Sequence, residues 1–129
     1  MDIEGIDHVA LTVRDVVRSI AWYRDTLGLE RRHEVWGDHP AMMFAGNTAL
    51  ALFPATGRVA EAPDSRATAI MRHLAFRVDR LNFERAQERL RGLGVEFSFE
   101  DHSISHSIYF RDPDGYELEL TTYEVGSGA

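Results

Sequence analysis

The chain has 129 residues, a formal net charge of −7 and no cysteine. That length suits one ordinary domain with a real core. The charge argues against nucleic acid or an anionic membrane as partner, and the missing thiols exclude disulfides and thiolate metal sites. No apolar run approaches the roughly 18 residues of a membrane span, and the start MDIEGIDH lacks a signal-peptide pattern, so a soluble, cytoplasmic protein is expected.

In chain order, residues 6–13 alternate, with Val9, Leu11 and Val13 on one face and Ile6, His8, Ala10 and Thr12 on the other, the pattern of a strand packed on one side. Val16, Ile20, Tyr23 and Leu27 then recur at helical spacing. This predicts a helix over 16–27, capped by Asp15 and closed by Gly28. A strand over 29–36, a turn at Gly37-Asp38-His39-Pro40 and two short strands over 41–45 and 49–53 around Gly46-Asn47 follow. Residues 54–68 carry Pro, Gly and Ser with few large apolar side chains and read as a linker.

The pattern then restarts. Residues 71–78 alternate with Leu74, Phe76 and Val78 inward; Phe83, Ala86, Leu90 and Leu93 form a helical stripe over 83–93, ended by Gly94. A strand over 95–99, a polar loop over 100–106 and a hairpin over 107–123 complete the chain, with 126–129 as a flexible end. The hairpin turn is Asp112-Pro113-Asp114-Gly115, where Pro113 pre-sets the first φ and Gly115 takes the left-handed position. This register sets Tyr109 beside Glu119 on one face and turns Leu118 and Leu120 to the other.

The halves are a repeat: IDHVALTV aligns on MRHLAFRV, TLGLE on GLGVE, MMF on IYF and LAL on LEL. Each half reads β-α-β-β-β. His8 and His73 become equivalent positions, and Glu119 is matched by Ala51. Two imidazoles and one carboxylate suit a divalent transition metal with open positions for other ligands. The plainer alternative is a pair of core histidines satisfied by backbone carbonyls and a surface carboxylate.

The stretches DHVALTV, WYRDTLGLE, RHLAFRV and YFRDPDGYELEL resemble the vicinal oxygen chelate superfamily, which includes glyoxalase I, fosfomycin-resistance thiol transferases, extradiol dioxygenases and bleomycin-resistance proteins. The resemblance spans about residues 6–123. It implies an α+β glyoxalase-like fold, with two βαβββ modules (about 5–53 and 70–123) in one domain forming a cupped eight-stranded mixed sheet. It further implies His8, His73 and Glu119 as metal ligands, Tyr109 beside the metal, and a homodimer whose cups are built across the subunit interface.

Departures from the family bear on the reaction. Ala51 stands where glyoxalase I needs a second glutamate, which removes the expected base for isomerisation. Phe99 and Ala10 stand where the fosfomycin enzymes place a lysine and a threonine, so a phosphonate would lack its countercharge. Thr48 lies near the position expected for an extradiol catalytic histidine, for which His106, His102 or His39 could substitute from loops. On these grounds the expected reaction is dioxygenase-type, on a fairly apolar, catechol-like small molecule, with Fe2+ or Mn2+ favoured over Zn2+ or Ni2+. Tyr109 and His106 are the candidate catalytic residues. Trp36, Met42, Phe44, Arg77 and Phe99 are the candidate pocket residues. The alternatives are a ligand-sequestering binding protein, or a lyase, isomerase or thiol transferase of the same superfamily.

Overall fold

A computed structural model describes residues 1–57 and 64–126. Part of the expected linker (58–63) and the end of the expected tail (127–129) lie outside the described residues. The contacts divide the chain into two compact units, Met1–Glu61 and Ala62–Ala129. Among the described residues no helix is long and apolar enough to cross a membrane.

The first unit runs β1 (His8–Val13), α1 (Val16–Leu27), β2 (Glu30–Arg32), a 3-10 turn (Glu34–Trp36), β3 (Ala41–Ala45) and β4 (Thr48–Pro54). The second runs β5 (Leu74–Arg77), α2 (Arg80–Gly92), β6 (Ser98–Asp101), β7 (His106–Arg111) and β8 (Glu117–Thr122). The structure is α+β with the eight expected strands, hydrogen-bonded as two four-stranded sheets of order β1-β4-β3-β2 and β5-β8-β7-β6. In each sheet the first strand lies parallel to the last and the other neighbours are antiparallel. The sequence repeat is thus a repeat of topology.

Each sheet has one face buried under its own helix. Leu11, Val13, Met43, Leu50 and Leu52 share a face by register and are buried along with Tyr23 of α1. Ile108, Phe110, Leu118 and Leu120 do the same in the second unit with Phe83 and Leu90 of α2. The opposite faces carry His8, Ala10, Met42 and Ala51 in the first unit and Ser107, Tyr109, Glu119 and Thr121 in the second.

Several boundaries differ from expectation, among them the strand expected over 71–78, which is only Leu74–Arg77 and leaves His73 just ahead of it. The strand expected over 29–36 stops at Arg32 because His33 adopts a left-handed backbone (φ 61) that leaves the ladder and starts the 3-10 turn. Helix α2 begins at Arg80, three residues before the first apolar stripe position, because the Asp79 side chain caps it by accepting the Asn82 N–H at 2.8 Å. The strand expected over 95–99 begins only at Ser98. Val95 donates its N–H to Leu90 O (2.9 Å) and Gly94 to Arg91 O (3.1 Å), so both amides close the helix instead of joining a ladder. The polar loop correspondingly shrinks, since β6 reaches Asp101 and β7 starts at His106.

Candidate functional site

The β7–β8 hairpin organises the site. Asp112 O accepts the Gly115 N–H and Asp112 N–H donates to Tyr116 O, each at 3.0 Å. The Asp112 carboxylate accepts the N–H groups of Asp114 and Tyr116 at 2.9 Å. Gly115 supplies the left-handed position (φ 90). This turn sets a register in which Tyr109 lies opposite Glu119 and Ser107 opposite Thr121. A phenol, a hydroxyl and a carboxylate therefore share the face turned away from α2.

Glu119 is only 8 % exposed, and a buried carboxylate must be compensated. Ser107 O–H donates to Oε2 at 2.6 Å, and Oε1 lies 2.8 Å from His73 Nε2. Thr121 Oγ1, 3.0 Å from Ser107 Oγ, holds that hydroxyl from the other side. His73 directly precedes β5, and its ring meets Tyr109 edge-on at 5.6 Å. The Tyr109 phenol is pushed above its ordinary range, first by burial and then by the charges of Glu119 and Glu100, so at neutral pH it keeps its proton. Its oxygen lies 3.0 Å from His102 Nε2.

The donor set can be tested against a metal ion. Two ligands about 2.1 Å from one ion at a right angle stand about 3.0 Å apart. His73 Nε2 and Glu119 Oε1, at 2.8 Å, are close to that spacing, and Ser107 on the other oxygen is the kind of outer contact that orients a ligating carboxylate. His8, in the first unit, places Nδ1 2.8 Å from Asp7 Oδ2, which leaves Nε2 for another partner. Among the described residues, no group of three or more His, Asp or Glu side chains is assembled to hold a metal. The structure brings together His73, Glu119 and Tyr109.

The other expected residues are distributed as follows. His106 lies opposite Thr122, on the helix-side face of β7, where its Nδ1 sits 2.8 Å from Arg80 Nη2 and its ring against Phe99. It therefore points away from Tyr109 and Glu119. Phe99 pairs with Ile108 on that same helix-side face and meets the Phe83 ring, so it does not stand beside Tyr109. Arg77 shares the face of Thr121 and lays its guanidinium over the Tyr123 ring at 4.6 Å. Met42 is buried with Ala49 and Ala51, with Phe44 packed against them. Trp36, half exposed on the 3-10 turn, contacts His33, which in turn meets Phe44. Ser107 was not among the expected residues, although its spacing of two from Tyr109 signals a common face.

A model of the Glyoxalase/Bleomycin resistance protein/Dioxygenase superfamily matches residues 5–120. The glutathione transferase FosA of Serratia marcescens is 31% identical over 125 residues, covering 97% of this chain and 83% of its own. The metallothiol transferase FosB of Staphylococcus saprophyticus is 32% identical over 123 residues, covering 93% and 78%. The solved glyoxylase/bleomycin resistance protein/dioxygenase domain from Frankia sp. EAN1pec superposes with a TM-score of 0.78 at 26% identity, covering 94% of this chain and 93% of that one. With the family model spanning most of the chain and the fold agreeing, this protein belongs to the glyoxalase/bleomycin resistance protein/dioxygenase superfamily.

Proposed function

We propose that the protein is a metal-dependent transferase that adds a low-molecular-weight thiol to a small electrophile bearing an oxygen, such as an epoxide. One observation carries this reading. The half-buried His73, paired with the buried Glu119, stands beside a protonated phenol, in a chain similar over most of both lengths to proteins named a glutathione transferase and a metallothiol transferase. Ring cleavage with dioxygen, the sequence-based expectation, ranks behind it for the same reason.

His8, His73 and Glu119 would hold the divalent cation, which when bound supplies Lewis-acid polarisation of the substrate oxygen. The chain's own residues do the rest. Ser107 holds one oxygen of the carboxylate and so keeps the other facing His73. Tyr109 donates a hydrogen bond to the oxygen on which charge develops as the carbon–oxygen bond breaks and the sulfur–carbon bond forms. Phe99, where the fosfomycin enzymes have a lysine, faces α2 instead, so a phosphonate is not the preferred electrophile. The family resemblance also supports a homodimer, which light scattering would show as twice 14.6 kDa.

The test is incubation of protein loaded in turn with Mn2+, Fe2+, Zn2+ or Ni2+ with glutathione or L-cysteine and a panel of small epoxides. Mass spectrometry should find an adduct of the summed mass, dependent on the metal. No adduct with any combination would overturn the reading, and tight binding without turnover would favour the ligand-sequestering alternative.

A further inference from the structure

A phenol has one hydrogen to give, so Tyr109 can donate to a substrate oxygen only if no neighbour takes that hydrogen. One such neighbour is His102, whose Nε2 lies 3.0 Å from the Tyr109 oxygen. The two rings meet edge-on, at 89°. An imidazole nitrogen is either a donor or an acceptor, and the partners decide which. The same Nε2 also faces the Glu100 carboxylate, with Oε2 at 3.6 Å, and a carboxylate only accepts. A carboxylate and a phenol oxygen meeting at one nitrogen are both satisfied if that nitrogen carries the hydrogen, whereas a bare Nε2 would turn its lone pair on the carboxylate. The imidazolium form gives the same answer, since both its nitrogens are donors.

The loop between β6 and β7 aims this ring. His102 N–H donates to Ser105 O, and His102 O accepts the Ile104 N–H, each at 2.9 Å. Between them Ser103 takes a left-handed backbone (φ 70) and donates its N–H to Asp101 Oδ1 at 2.8 Å. The imidazole is part exposed, so it is this bonded turn, not burial, that keeps it on Tyr109. From these contacts we infer that His102 is a positioning residue for Tyr109: its Nε2–H donates to the phenol oxygen and leaves the phenol's own hydrogen to point at the substrate. Resting on the thiol-transfer reading, this assigns His102 the task of presenting the Tyr109 hydrogen to the oxygen on which charge develops. A hydrogen bond received by the phenol also strengthens the one it gives.

The test joins a structural and a kinetic readout. In metal-free protein carrying isotope-labelled histidine, at about pH 8 and so above the ordinary imidazole range, nuclear magnetic resonance should find the His102 hydrogen on Nε2. It should also find an Overhauser contact between the His102 and Tyr109 rings. In metal-loaded protein, His102→Phe should lower kcat for adduct formation about fivefold to tenfold, the worth of one hydrogen bond, with KM changed less than about twofold. His102→Gln, which can still offer an N–H there, should recover most of that loss. In the Tyr109→Phe background His102→Phe should cost nothing more, because its effect passes through the phenol. A hydrogen on Nδ1 instead, no contact between the rings, or an equal loss in both backgrounds would overturn the inference. If the resonance results are as expected but no adduct forms with any metal, thiol and epoxide, the placement of the phenol hydrogen stands and the transferase reading falls. If adducts form and His102→Phe leaves kcat unchanged, the positioning role falls and the transferase reading stands.

Discussion

Glu119→Gln is expected to lower affinity for a divalent metal at least tenfold while leaving the fold intact. The carboxylate is nearly buried and has two fixed partners, Ser107 on one oxygen and His73 facing the other. Glutamine keeps the shape, still accepts from Ser107 through its amide oxygen, and can offer an N–H to His73. What it removes is the negative charge. Loss of an outer-shell partner alone typically costs ten- to a hundredfold in metal affinity, and a ligand's own charge is worth at least that. Competition with a fluorescent chelator measures the affinity, and circular dichroism checks the fold. Unchanged metal affinity would remove Glu119 from the ligand set.

Tyr109→Phe is expected to separate binding from chemistry. The ring keeps its edge contact with His73 and its place opposite Glu119, so metal affinity should stay within about twofold. The lost group is a phenol that burial and two neighbouring carboxylates keep protonated. Removing one well-placed donor to a developing oxyanion costs about 10²–10³ in kcat. Adduct formation under saturating substrate should therefore fall by that factor with KM little changed. An unaltered kcat would reduce Tyr109 to a wall of the site.

How far the sequence alone reached follows from what sets each element. The hairpin was legible because its turn chemistry is local: Pro113 and Gly115 dictate the loop, the loop dictates the register, and the register pairs Tyr109 with Glu119. The order of elements was legible through the repeat, each half reading β-α-β-β-β, whereas the placement of each first strand beside its last comes from long-range pairing that no local pattern encodes. The β6 boundary was not, because Val95 reads as a strand residue and only the closing hydrogen bond to Leu90 claims it for the helix end. His106 attracted attention as a histidine near the site, yet it stands three residues from Tyr109 in an alternating strand and so falls on the other face. His102 lacks such periodicity. Its approach to Tyr109 comes from the loop between β6 and β7, in which Ser103 turns through a left-handed backbone.

The measurement that bears most directly on this account is the metal content of protein purified without chelator or affinity metal, for the wild type and for His8→Ala. The expected result is near one divalent ion per chain in the wild type, lost in the variant, because His8 keeps Nε2 available and is the repeat equivalent of His73. Metal-free wild-type protein that also fails to take up an ion on reconstitution would contradict the metal centre and, with it, the proposed transferase chemistry.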